Sequence, residues 1–277
     1  WGWNGDGQLG DGTGTNRRSP VQVGNDHDWV SITAGFTHSM ALKSNGTLWA
    51  WGSNYVGQLG IGSFAITTSP SQVGTDHNWV SISGGGNHSL GLKSDGSIWS
   101  WGYGPSGELG NGNFSFQPTP AQIGTDHDWV YVSAGGEYSL GLRADGSLWA
   151  WGKNENGLLG IGNYSNRIAP TQVGTDHNWL RILSGHLHST AIKADGSLWT
   201  WGDNNEGQLG DGTNIGKNSP VHIGSEVDWH YIASGLFHML SLKPAGATIC
   251  ATGNNAFGQL GNSTNISQNI ILCGPGT

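Results

Sequence analysis

Apolar and polar residues alternate with a period of two in short stretches along this chain. Trp79 to Ser83 alternates in this way, the pattern of a strand with one buried face. Gly84-Gly85-Gly86 interrupts it, and His88 to Lys93 resumes it through Leu90 and Leu92. Asp95-Gly96 then predicts a tight hairpin with positive φ at both central positions. It leads into Ile98-Trp99-Ser100-Trp101, followed by the glycine-rich loop Gly107-Glu108-Leu109-Gly110. A short fourth strand is expected at Pro120-Ala121-Gln122-Ile123, where the opening proline suits an outer edge.

The same pattern recurs. WGWNGDGQLGDG at Trp1 returns as WGSNYVGQLGIG at Trp51, and again at Trp101, Trp151 and Trp201, always 50 residues on. A degraded copy, TGNNAFGQLGNS, starts at Thr252. Between them lie five copies of a second half-unit, such as DHNWVSISGGGNHSLGLKSDGSIWS from Asp76 to Ser100. The last departs most, with Val227 in place of histidine and Pro244-Ala245-Gly246 at the hairpin. A fixed period over the whole length means one supersecondary unit repeated. Four antiparallel strands in a unit of about 50 residues is the size of a β-propeller blade. The expected fold is therefore all-β, with residues 1–277 forming a single propeller domain. Its units are 1–50, 51–100, 101–150, 151–200 and 201–251, with a partial sixth at 252–277. Six WG half-units against five of the other kind leave one blade incomplete. Either the chain is a fragment of a longer propeller, or its terminal segments pair within one blade.

The string G-x-x-H-S…L-K-x-D-G-x-L-W-x-W-G-x-N-x-x-G-Q-L-G, seen with local variations from Gly85 to Gly110, resembles the regulator of chromosome condensation repeat. The resemblance covers essentially the whole chain. It implies a propeller, commonly of seven blades in that family. The added VGTDH[DN]W link is most similar to tandem arrays in large secreted or surface bacterial proteins, which places the chain outside a bacterial cell or on its surface. The family includes exchange factors for a small nuclear GTPase and a light sensor whose tryptophans are held by arginines. The acidic charge speaks against the first, and a lack of arginines around the tryptophans against the second.

Composition narrows the partners. Charged residues make up only 11% of the chain, with 49 Gly and 15 Trp, which fits a turn-rich globular protein rather than a disordered tail. No apolar run approaches the roughly 20 residues of a membrane helix. The formal net charge is -8, and Arg17-Arg18 is the only adjacent basic pair, so no basic patch exists for nucleic acid. The first residue is Trp1, with no initiator Met; a removed signal peptide and an excised fragment both account for it. Cys250 and Cys273 either form one disulfide in an oxidising compartment or stay as two buried thiols.

Candidate chemistry is sparse. His38, His88, Tyr138, His188 and His238 occupy one repeat position, and His27, His77, His127 and His177 another. Metal ligands must converge within about 2 Å of an ion, which residues on successive blades do not, so these histidines are expected to be structural. Trp49/Trp51, Trp99/Trp101, Trp149/Trp151 and Trp199/Trp201 place two rings on one strand face and suit packing between blades. Asp26, Asp28, Asp76, Asp126 and Asp128 are expected to make local turn bonds. No phosphate loop, cofactor motif or nucleophile–base set stands out, so a non-enzyme without cofactors is expected. Variation concentrates after each GQLG string, in loops carrying Phe64, Ile66, Phe114, Phe116, Tyr164 and Ile168. Loops on a rigid scaffold carry recognition, and exposed aromatics favour protein contacts. A scaffold module binding another protein is the leading expectation. A carbohydrate-binding module on surface polysaccharide, or a passive spacer in a large adhesin, are the alternatives.

Overall fold

The computed structural model describes residues 1–243 and 248–274, so the Pro244-Ala245-Gly246 turn lies outside the described residues. Among the described residues twenty strands form five four-stranded antiparallel sheets, each a propeller blade. The first holds β1 (Trp29–Ala34), β2 (His38–Lys43), β3 (Leu48–Gly52) and β4 (Thr67–Gln72). The second holds β5 (Trp79–Gly84), β6 (His88–Lys93), β7 (Ile98–Gly102) and β8 (Gln117–Gln122). The third holds β9 (Trp129–Ala134), β10 (Tyr138–Arg143), β11 (Leu148–Gly152) and β12 (Arg167–Gln172). The fourth holds β13 (Trp179–Ser184), β14 (His188–Lys193), β15 (Leu198–Gly202) and β16 (Lys217–His222). The last holds β17 (Tyr231–Ser234), β18 (His238–Lys243), β19 (Thr248–Gly253) and β20 (Gln268–Cys273).

Each sheet begins at the DH-x-W link and ends within the next copy of the WG half-unit. The copy at Thr252 therefore completes the last sheet. Among the described residues the copy at Trp1 forms one isolated antiparallel bridge, Gly2 to Arg17. The fourth strand starts earlier than Pro120, because Gly102 pairs with Gln117 across a register shift.

The hairpin differs from expectation as well. Gly96 has φ +80°, whereas Asp95 is not among the positive-φ residues. Gly96 N–H donates to Lys93 O at 3.0 Å and Lys93 N–H to Ser97 O at 3.0 Å, the longer loop of a turn followed by a glycine bulge. Asp95 Oδ1 accepts from Ser97 N–H and from the Ser97 hydroxyl, which itself accepts from Trp99 Nε1 at 2.9 Å. The sequence signal for a hairpin was correct, and the turn type was not. A side chain that completes the turn internally removes the need for a second positive φ.

The chain divides into two compact units, one of residues 1–139 and 167–169, the other of 140–166 and 170–277. In the first, Met40, Leu42, Leu48 and Ala50 of one blade bury Trp79 and Ile82 of the next, together with Leu59 and Val73. The G-x-x-H string has a geometric cause at this junction. A Cβ on Gly85 would lie 2.4 Å from the His88 ring, so only glycine lets that ring turn inward. His88 Nε2 then meets Ser139 Oγ at 3.0 Å, 51 residues on, and His38 meets Ser89 at the same distance. Those serines donate to Glu108 O and Gln58 O, each at 2.8 Å.

In the second unit Ile192, Leu198, Ile223, Trp229, Met239 and Cys250 form a core. Cys250 pairs in register with Cys273 and is disulfide-bonded to it. At the matching register of the fourth sheet stand Trp199 and His222, whose rings lie 5.2 Å apart. A covalent link thus occupies the cross-strand position that an aromatic pair occupies in the fourth sheet and a Trp–Gln pair in the first and second.

Candidate functional site

The variable loops all follow β3-type strands and return on β4-type strands. Their backbones are held from below. Asn54, fully buried, accepts from Leu59 N–H at 2.9 Å and donates to Ser63 O and Ala65 O at 2.8 and 3.0 Å. Asn154 does the same for Leu159, Asn163 and Ser165. The first glycine of the GQLG string fastens its loop to the following blade in the copies from Gly7 to Gly207. A Cβ on Gly57 would lie 2.8 Å from Pro118 Cα, and Gly62 N–H donates to Pro118 O at 2.9 Å. One loop departs from this scheme. Gly104 stands where asparagine is expected, and a Cβ there would lie 2.2 Å from Ser115 O. The loop has closed into the space of the missing side chain.

On these loops Phe64, Ile66, Phe114, Phe116 and Tyr164 are exposed, each at 40% to 58%. Phe116 leans on Tyr103, with ring centroids 5.5 Å apart. Ile168 is placed differently: it lies within β12, half-buried, and its carbonyl accepts from Gly112 N–H at 2.8 Å. It belongs to a loop anchor rather than to a loop tip. Phe64, Ile66, Phe114 and Phe116 lie in the first unit and Tyr164 in the second. Ile215, in the corresponding variable segment, is exposed as well, and so is Tyr55, which was missed. The signal for Tyr55 was available, because the position after the loop asparagine differs in every copy. The loop after Gly12 is polar instead: Asp11 accepts from Thr13 and binds Arg17 at 2.5 Å. Those bonds, from Thr13 first and then Arg17, pull the Asp11 carboxyl down to about 2.

The other edge of each sheet, where hairpin and link meet, is occupied by structural charge. Lys93, nearly buried, binds Asp76 at 2.7 Å and lies 4.7 and 3.7 Å from the centres of the Trp79 and Trp99 rings. Lys43 with Asp26, and Lys193 with Asp176, repeat the arrangement at 2.7 Å. Asp26, Asp28, Asp76 and Asp176 thus serve long-range ion pairs rather than the expected local turn bonds. The constant separation of 17 residues between each Asp and its Lys was the readable signal. The tryptophans also divide by role. Trp79 meets Trp99 edge-on at 6.0 Å within the blade, whereas Trp51 Nε1 donates to Gln8 O of the preceding half-unit at 3.0 Å. The expected absence of arginine also fails at one place, since Arg143 lies 4.1 Å from the centre of the Trp149 ring.

The buried histidines are held neutral. Burial pushes His38 down to about 4, His88 to about 3 and His188 to about 4. Among the described residues no group of three or more His, Cys, Asp or Glu is arranged to hold a metal. No described helix is long and apolar enough to cross a membrane.

Similar folds are known. Human WBSCR16 superposes with a TM-score of 0.85 at 23% identity, covering 98% of this chain and 74% of that one. Prp20p of Saccharomyces cerevisiae gives 0.72 at 18% identity, covering 99% and 84%. The ectodomain of the Physcomitrella patens receptor kinase CR4 gives 0.54 at 19% identity, covering 82% and 52%. No curated protein sequence matches the chain. The sequence profile of the RCC1-like domain matches residues 1–272, and with the repeated four-stranded blades and their G-x-x-H junctions this chain belongs to the RCC1-like domain family.

Proposed function

We propose that this chain is a non-catalytic scaffold that recognises another protein through its variable loops, at a bacterial surface or in secreted form. The observation that carries the reading is the contrast within the loops of Phe64 and Tyr164. Backbones are fixed by buried Asn54 and Asn154, while the aromatic tips stay in solvent. Rigid loops lose little conformational freedom on binding, so their exposed rings convert burial into affinity efficiently. The yeast relative has been solved bound to Kap60, and its binding to Gsp1p and histones has been described. Those partners belong to that protein; what supports the present reading is that the fold serves protein recognition there. The Cys250–Cys273 bond supports an oxidising compartment.

A cross-linked pull-down from the surface of the source cells tests this, using the native chain against one with Phe64, Phe114, Phe116 and Tyr164 all changed to Ser. A protein captured only by the native chain is the expected result. Equal recovery with both baits removes the loops from recognition and favours a passive spacer. Recovery of glycan alone favours the polysaccharide reading.

A further inference from the structure

The variable loops also hold an acceptor motif for a covalent group. In Asn-x-Ser/Thr, with x not proline, the asparagine amide nitrogen accepts a sugar. The motif occurs at Asn45, Asn87, Asn113, Asn163, Asn262 and Asn265. Transfer requires that the asparagine Nδ2 and the hydroxyl two residues on enter an enzyme together. A hydroxyl already spent inside the fold fails that requirement.

The fold spends most of them. Thr47 is 3% exposed, and its hydroxyl donates to Asn45 Oδ1 and accepts from Trp49 Nε1. Ser89 is fully buried, and its hydroxyl donates to Gln58 O. The Thr264 hydroxyl donates to Asn262 Oδ1 at 2.8 Å, an oxygen that also accepts from Asn255 Nδ2. Ser267 Oγ accepts from Asn255 N–H at 3.3 Å. At the remaining loop copy Asn163 is half-buried, and its Nδ2 donates to Ile161 O at 3.4 Å.

Asn113 differs from all of these. Asn113, Phe114, Ser115 and Phe116 are exposed in succession, outside any strand. Asn113 Oδ1 accepts from Ser115 N–H at 2.9 Å, the local turn bond an asparagine makes two residues on. Among the described residues neither Asn113 Nδ2 nor Ser115 Oγ takes part in a hydrogen bond. The backbone here is also less tied than in its sister loops. Asn54 Nδ2 holds Ser63 O and Ala65 O, whereas Gly104 has no amide to offer Asn113 O and Ser115 O. A loop without that tether yields more readily to an enzyme that must surround the tripeptide.

We propose that Asn113 is an N-glycosylation site, loaded from a phosphate-activated sugar by a glycosyltransferase of the source cells. Asn113 Nδ2 bonds to the anomeric carbon of the sugar as the bond from that carbon to the phosphate oxygen breaks. The amide nitrogen gives one proton to a base of the transferase, and the phosphate leaves with its carrier. Nucleotide-linked and lipid-linked donors share this chemistry; a single sugar on Asn113 marks the first, and a preassembled oligosaccharide the second. The site stands whether or not the loops bind a protein.

The full chain is purified from its source cells, digested, and its peptides are mapped by electron-transfer mass spectrometry. Sugar is expected on Asn113, with Asn45 and Asn87 bare. Ser115→Ala, made in the same cells, is expected to lose the sugar although Asn113 is intact, and Ser115→Thr to keep it. Ser115 is exposed, so both variants leave the fold intact, and circular dichroism checks this. A bare Asn113 in the native chain overturns the proposal, as does sugar on Asn45 or Asn87 in its place. Sugar that persists undiminished in Ser115→Ala also overturns it, because the hydroxyl then plays no part.

Discussion

The second blade and the last blade solve one packing problem with different chemistry. In the second, Lys93 lies over two tryptophans and binds Asp76. In the last, Trp229 remains under Lys243, which pairs with Glu226 and Asp228, but the second ring is gone. Cys250 stands in its register and is bonded to Cys273. The burial follows the chemistry. The second strand is buried throughout in β6, whereas β18 is only partly buried, and β17 has four residues against six in β5. A blade that loses its aromatic stack keeps its outer strand by a covalent bond. Aromatic packing stabilises the folded state directly, while a disulfide acts mainly by restricting the unfolded chain.

The largest effect expected from breaking this comparison is at the hairpin of the second blade. Gly96→Val forces a β-branched residue to φ +80° and drives its Cβ to 2.1 Å from His127 O. Strain and overlap together are expected to cost on the order of 4 kcal/mol. Gly74→Ala is the control: its φ is +62° and nothing lies within 4 Å of the added carbon, so about 1 kcal/mol is expected. Urea unfolding followed by tryptophan fluorescence separates the two, and equal losses would discard the overlap argument. Next comes the last blade, where Cys250→Ser with Cys273→Ser is expected to lose about 3 kcal/mol. Hydrogen exchange should locate that loss in β17–β20, while protection in β5–β8 is unchanged.

Acid acts through the junction histidines. His38 and His88 titrate in the fold near 4 and 3, below the unfolded value of about 6.5. The unfolded chain therefore binds the extra protons. The stability they contribute is complete above about pH 6.5 and is lost as pH falls from there toward the folded values. Each such histidine steepens the loss by about 1.4 kcal/mol per pH unit within that window. His88→Tyr borrows the side chain found at Tyr138 and should flatten the urea midpoint against pH by one histidine's share; an unchanged slope would show that His88 titrates normally. A smaller effect is expected from Lys93→Met, about 1 kcal/mol for an ion pair whose aspartate is half exposed. Lys243→Met, with one ring beneath it, should cost less in the same assay.

Much of the fold was legible because its causes are local or periodic. The bounds of β6 follow directly from the alternation between His88 and Lys93, and the fifty-residue period dictates that all blades share one design. The outer strand was less legible. Its start at Gln117 is set by pairing with Gly102 across a register shift, and no residue near Pro120 carries that information. Asp76 was misjudged for a similar reason, since its partner Lys93 comes near only once β5 and β6 have paired. The loop aromatics were visible as variation around a constant frame. Ile168 was misplaced among them because a loop residue and the first residues of an edge strand look alike until the Gly112 bond fixes them.

The histidine–serine seam gives this architecture an unusual tolerance to changes of copy number. The His38–Ser89 and His88–Ser139 seams each join a residue to one 51 positions later. Excising residues 51–100 would bring Ser139 to the place of Ser89, so His38 would find the same hydroxyl, carried on the same kind of strand. Unequal recombination between near-identical units can therefore lengthen or shorten the gene while each surviving seam keeps its chemistry. Selection then acts on the loops and on the number of blades, and the joints need not be reinvented.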